Sequence, residues 1–245
     1  MRNPFESTSV LLRRSEGVWS AAGTCFAFKR RRWFLTAGHC VRGAEAADLG
    51  LIPFAGPAAA GSRGLDIDAL FEHPVADVAL LRRPIDGLGT FDPFEGFSLS
   101  SSQGEAVTSF GYPSEARAPA GGRSIASAPP AAPQESLVPR MLRGHVQRRF
   151  LYEGHGYSFK ALELSLPAPA GMSGAPVSLD ENPSNVLGLI ADNHDASTLL
   201  HKVSEVEDGR SVFRESMHAV VTYGVAVDLS VVDDWIMDTI GATDA

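Results

Sequence analysis

Three short segments of this chain place a histidine, an aspartate and a serine where nucleophilic chemistry could be done. Residues 33–40 read WFLTAGHC, an apolar run that ends in a small-residue turn and then His39. A general base needs a fixed ring with one nitrogen facing its nucleophile, and a rigid strand end supplies that. Taken alone, such a histidine reads first as a packing or capping residue. Residues 73–81 read HPVADVALL, with Asp77 directly before an apolar run. A carboxylate buried there needs a donor, and an imidazole N–H would satisfy it while fixing the tautomer. A turn residue is the other reading of Asp77, and Asp66 and Asp68 are nearby competitors. Residues 169–177 read PAGMSGAPV, with Gly171 and Gly174 flanking Ser173 as G-x-S-G. Those glycines permit a tight turn in which the N–H groups of Gly171 and Ser173 converge on a developing oxyanion. Ala175 stands where the strand-to-helix hydrolase elbow would need its second glycine, which argues against that motif.

The elements that must hold these residues read as short strands. Runs rich in Val, Leu, Phe and Trp recur at 17–21, 24–28, 33–36, 78–82, 106–112, 162–166 and 186–191, separated by Gly, Pro and polar turns. Helical periodicity waits until the end. There Ser230 to Ile240 puts Val231, Val232, Trp235, Ile236 and Ile240 on one face, with Ser230 as cap and Gly241 following. Many short strands with one terminal helix predict an all-β antiparallel barrel or sandwich. Residues 90–103 could connect two halves, and 113–139, rich in Ala, Pro, Gly and Ser, read as a long exposed loop. Asp208-Gly209 reads as a hairpin turn, and the basic run 29–32 as a solvated one.

Composition narrows the function. A net charge of −8 argues against nucleic acid as the main partner, because phosphate binding needs a basic face. No apolar stretch is long enough for a transmembrane helix. The first residues lack the apolar core of a secretory signal, so with Met1 as the natural start the expected location is cytoplasmic. Two cysteines, Cys25 and Cys40, are too few for a disulfide framework or a Cys-rich metal site, and no metal or cofactor is expected.

Taken together, the three segments occur in the order His, Asp, Ser, 38 positions apart and then 96. The chain resembles the trypsin-like (chymotrypsin-fold) serine peptidases. TAGHC is similar to that family's TAAHC, DVALL to its Asp-bearing strand, and GMSGAP to its GDSGGP or GNSGGP box. VLGLI at 186–190 and the Tyr223–Leu229 run with its following helix resemble the family's closing elements. The resemblance implies two six-stranded antiparallel β-barrels with a C-terminal α-helix. Residues 1–92 would form the first barrel, carrying His39 and Asp77, and 93–104 a linker. Residues 105–245 would form the second, carrying Ser173 and the helix 230–240. It implies a serine endopeptidase: His39 takes the Ser173 proton, Ser173 attacks the scissile carbonyl, Asp77 stabilises the imidazolium, and water releases the acyl-enzyme. The partner is then a polypeptide substrate, with an activating or regulatory protein as a further candidate.

Several residues depart from the family pattern. Met172 replaces the aspartate that pairs with a new N-terminus in members activated by cutting, so other packing must hold the oxyanion turn. Ala191 stands where many relatives have a serine near the triad aspartate. The family often bridges a cysteine before its histidine strand with one after the histidine; Cys40 matches the second and Cys25 lies near the first, with free thiols the expectation. The resemblance puts Pro167 and Ala168 near the base of the primary pocket, Ala191 and Asn193 along its wall and Gly224 beside it, all uncharged. Asp192 or Asp195 could still enter, against a reading of both as surface carboxylates. His194, His201 and His218 have no ligand spacing. Residues 195–221 exceed a minimal connection and are a lid, a partner-binding hairpin or a tolerated insertion. A catalytically latent binding module, or an esterase using the same triad, are the competing functions.

Overall fold

The computed structural model describes residues 4–53, 65–84, 91–113, 139–207 and 210–244. The expected loop 113–139 and the 208–209 turn fall almost wholly, or wholly, outside them. A single helical turn, α1 (Pro4–Ser7), leads into β1 (Thr8–Ser15), β2 (Val18–Phe28) and β3 (Arg30–Thr36). Then come β4 (Leu49–Pro53), β5 (Leu65–Asp66), β6 (Ala69–Glu72) and β7 (Ala79–Arg82). These form one antiparallel sheet in the order β5-β4-β1-β2-β3-β7-β6. It has seven strands where the resemblance implied six, because the two-residue β5 adds to β4 through Gly50↔Asp66 and Leu51↔Leu65. The basic run turns tightly: Lys29 has φ 57 and Phe28 pairs with Arg30.

From there the chain crosses through β8 (Gly96–Phe97) to β9 (Ala106–Gly111), β10 (Arg140–Gly154), β11 (Tyr157–Leu164) and β12 (Pro176–Leu179). It finishes its strands with β13 (Asn185–Val186), β14 (Gly188–Glu207) and β15 (Arg210–Asp228). Six of these close into a barrel, β10-β11-β15-β14-β12-β9, while β8 and β13 pair in parallel beside it. The fold is therefore all-β, two curled sheets and a terminal helix. Phe26, Phe28, Trp33 and Phe34 fill the first core, with Phe91 and Phe94 packed on them. Val107, Leu162, Leu164, Met172 and Ile190 fill the second. Each such side chain, fully buried, contributes roughly 1.5–3 kcal/mol relative to an exposed position.

Two elements differ from expectation. The terminal helix, α2 (Asp233–Asp244), begins three residues later and runs through Gly241. Ser230 does not cap it: Ser230 lies in a 3-10 turn, where its N–H and hydroxyl both donate to Asp228. The far end is held by Asp244, which accepts from Arg30 at 2.8 Å and from the Trp33 indole at 3.1 Å. Strands β14 and β15 leave the barrel beyond Asn193↔Gly224 and continue paired to Glu207↔Arg210 as a two-stranded ribbon. His194, His201 and His218 lie exposed on it. Among the described residues no helix is long and apolar enough to cross a membrane.

Candidate active site

His39 sits in a one-turn 3-10 helix, Gly38–Cys40, at the end of buried β3. The loop facing it, 73–78, is folded by His73, whose Nδ1 accepts from the N–H groups of Val75 and Ala76. Burial lowers the His73 pKa, which keeps the ring neutral and able to accept. Trp235 of α2 packs edge-on against the same ring, so the terminal helix supports this loop. The result is a completely buried Asp77 whose two oxygens both serve His39. Oδ1 accepts the His39 backbone N–H and Oδ2 pairs with Nδ1, each at 2.7 Å. Burial alone would lower the His39 pKa; the Asp77 bond, and after it Cys40, override burial and raise it from 6.5 to about 10. The competitors fall away: Asp68 pairs with Arg82 at 2.8 Å, and Asp66 lies exposed at the sheet edge.

The serine turn is held from the opposite barrel by one residue. Thr24 of β2 donates its N–H to the Ser173 carbonyl at 2.8 Å and its hydroxyl to the Gly171 carbonyl at 2.9 Å, while accepting from the Tyr112 N–H at 3.1 Å. Gly171 has φ 93 and Gly174 φ 85, conformations that disfavour a side chain. At Gly174 a Cβ would also collide with the Thr24 carbonyl and the Thr36 hydroxyl. Met172 is buried in the second core, so apolar packing anchors the turn.

His39 and Ser173 line one cavity of about 230 Å³ together with His155, Ala168, Pro169, Ala170, Ile190, Ala191, Asp192 and Asn193. No hydrogen bond joins His39 to Ser173 here; such bonds often tighten only when substrate binds. Asn193 ties the wall together, accepting from the Ala168 N–H at 2.7 Å and donating to its carbonyl at 2.6 Å. Pro167 is exposed and does not line the cavity. Gly224 lies behind the wall, its N–H donating to the Leu166 carbonyl at 2.6 Å. Asp192 enters the cavity, whereas Asp195 stays on the ribbon bonded to Thr222.

Cys25 and Cys40 are free thiols, and the possible bridge between them is not formed. The Cys40 sulfur lies beside Gly23, where a Cβ would stand 2.8 Å away, two residues before Cys25 on the same strand. Cys25 instead donates to the Ser9 carbonyl, and burial pushes its pKa far up. Sequence reasoning missed Thr24, His73 and His155. The His73 ring could have been suspected from its place at the head of the Asp77 loop; the other two carry no motif.

A family model, described as a trypsin-like peptidase domain, matches residues 23–189. Among solved structures, the active form of the Rv3671c protease from M. tuberculosis is 16% identical, with a TM-score of 0.58 over 94% of this chain and 78% of that one. The MamO protease domain from Magnetospirillum magneticum is 14% identical, with a TM-score of 0.55 over 93% and 94%. The HtrA-type protease AlgW with decapeptide is 13% identical, with a TM-score of 0.56 over 95% and 65%. At such identities the likeness is one of fold. A search of curated proteins found no match. The matched segment exceeds half of the chain and runs from the strand that holds the serine turn to the strand that walls the cavity: the chain belongs to the trypsin-like peptidase family.

Proposed function

We propose that the chain is a serine endopeptidase working through His39, Asp77 and Ser173. The observation that carries this reading is the buried Asp77 bonded to Nδ1 of a histidine whose cavity also holds Ser173. With Nδ1 committed to Asp77, Nε2 is the nitrogen left to take the Ser173 proton. The serine oxygen then attacks the scissile carbonyl, and the N–H groups of Gly171 and Ser173 receive the oxyanion. His39 returns its proton to the leaving amine, and water, deprotonated by the same ring, releases the acyl-enzyme. Thr24 holds the turn in register, and the segment Ala168–Ala170 with β14 forms the bed for an extended substrate.

Digestion of an unfolded protein library, read by mass spectrometry, tests the proposal. New peptide termini from the native chain, absent with Ser173→Ala, are expected. Cleavage that persists in Ser173→Ala would show that the activity lies elsewhere, and no cleavage by either would remove the endopeptidase reading.

A further inference from the structure

The cavity beside His39 has a neutral part and an acidic part. Ala168, Ala191 and Asn193 make the neutral wall; Asp192 and His155 make the other. Asp192 is the residue of β14 between Ala191 and Asn193. Its Oδ1 accepts the Asn193 N–H at 2.8 Å, and its Oδ2 meets Nε2 of His155 at 3.0 Å and accepts the Tyr152 hydroxyl. None of these is a permanent cation. Burial, then the hydrogen bond to Asp192, push the Tyr152 pKa up and keep that group a neutral donor. His155 is charged only when protonated. Among the described residues no Lys or Arg lines this cavity. The carboxylate that lines the cavity with His39 and Ser173 therefore has an exchangeable partner.

That partner projects from a hairpin turn. His155 occupies the tip of the β10–β11 turn between Gly154 and Gly156, with φ 52 at His155 and φ 76 at Gly156. Its carbonyl is held by Arg42, but its side chain leaves the turn and lies on the His39 ring, centroids 4.4 Å apart and planes 25° apart. The side chains of His155 and Asp192 are 40% and 35% exposed, so a group entering the cavity reaches both. A substrate side chain that comes to rest on the His39 face covered by His155 takes the place of that imidazole.

We infer that Asp192 is a specificity-determining residue that binds an arginine or lysine side chain of the substrate polypeptide, which displaces His155 from the carboxylate and from the face of His39. The inference rests on the serine-peptidase reading. A guanidinium brings a permanent charge and two parallel donors to a carboxylate, where an imidazole brings one N–H. The net charge of −8 adds a longer-range attraction for cationic segments.

Peptidyl phosphonates that carry arginine, or its neutral isostere citrulline, in either of the two residues nearest phosphorus provide the test. The rate of Ser173 labelling is measured by mass spectrometry. At one of the two positions arginine is expected to label roughly 10- to 100-fold faster than citrulline, the range for one charge-assisted contact. In Asp192→Asn that ratio falls to within about threefold. In Asp195→Asn, on the ribbon, it stays. His155→Ala, which removes the resident partner and leaves the carboxylate, raises the ratio. Equal labelling by both probes in the native chain, a ratio that survives Asp192→Asn, or a ratio that falls in His155→Ala overturns the inference. A simple alkyl fluorophosphonate separates the two levels. If it labels Ser173 while arginine gives no advantage, only the inference falls; if it labels nothing, the peptidase reading falls and takes the inference with it.

Discussion

Replacing Asp77 by asparagine separates the catalytic use proposed for this side chain from its structural one. Asparagine has nearly the same volume, so the fully buried site is refilled. Its carbonyl oxygen can still accept the His39 backbone N–H, now bonded to Oδ1 at 2.7 Å. Its amide NH2 then points at Nδ1, where a carboxylate oxygen sits at 2.7 Å. Nδ1 must become an acceptor, so the imidazole proton moves to Nε2, and Nε2 can no longer take a proton from Ser173. The expected loss in kcat is about 10,000-fold. The fold loses one charge-assisted hydrogen bond, a cost of roughly 1–3 kcal/mol, or about 2–4 °C in Tm for each kcal/mol at this length. Peptide hydrolysis and thermal unfolding, measured side by side, read the two losses separately. An Asp77→Asn protein that stays folded and keeps kcat within about tenfold of the native value would refute the reasoning.

Three further expectations follow from the same geometry. Because the His39 pKa is raised, kcat/KM climbs with pH through an inflection above the ordinary 6.5, and an inflection at or below 6.5 would contradict the site description. For the same reason the stability that the protonated His39–Asp77 pair supplies is fully present below pH 6.5 and lost as pH rises through about 10. The unfolding free energies of the native chain and Asp77→Asn should therefore converge in alkali; a constant gap would show that the pair is not its source. Thr24→Val removes the hydroxyl that holds the Gly171 carbonyl and accepts from Tyr112, so kcat should fall about tenfold with KM little changed, and a purely structural loss would leave kcat of the folded fraction intact.

The candidate site was legible in the sequence because each of its three residues stands at the edge of a strongly patterned segment. An apolar strand runs into His39, another leaves Asp77, and glycines bracket Ser173, so local preference and catalytic geometry agree. The fold was less legible where strands carry no alternation. In β1 the first five residues are all buried, so no two-residue period marks it. In β10 the sequence RMLRGHVQRRFLYEG is mostly exposed and carries four arginines and a glutamate, and its strand character comes from its pairing with β9 and β11. Register was the other blind spot. The neighbour of Cys40 is Gly23, and nothing in the spacing of two cysteines reveals which residue of β2 faces the turn after β3. The His155–Asp192 pair was hidden for a similar reason: Gly154-His155-Gly156 reads as a turn, and only the hairpin's length brings its tip over His39.

Ser173 is proposed to be a nucleophile activated by His39. Treatment with an alkyl fluorophosphonate, followed by peptide mapping, tests it directly. A single adduct on Ser173, absent in Ser173→Ala and strongly slowed in His39→Ala, is the predicted result. Failure to label Ser173 in the folded native chain, or labelling of Ser173 at an unchanged rate without His39, would contradict it.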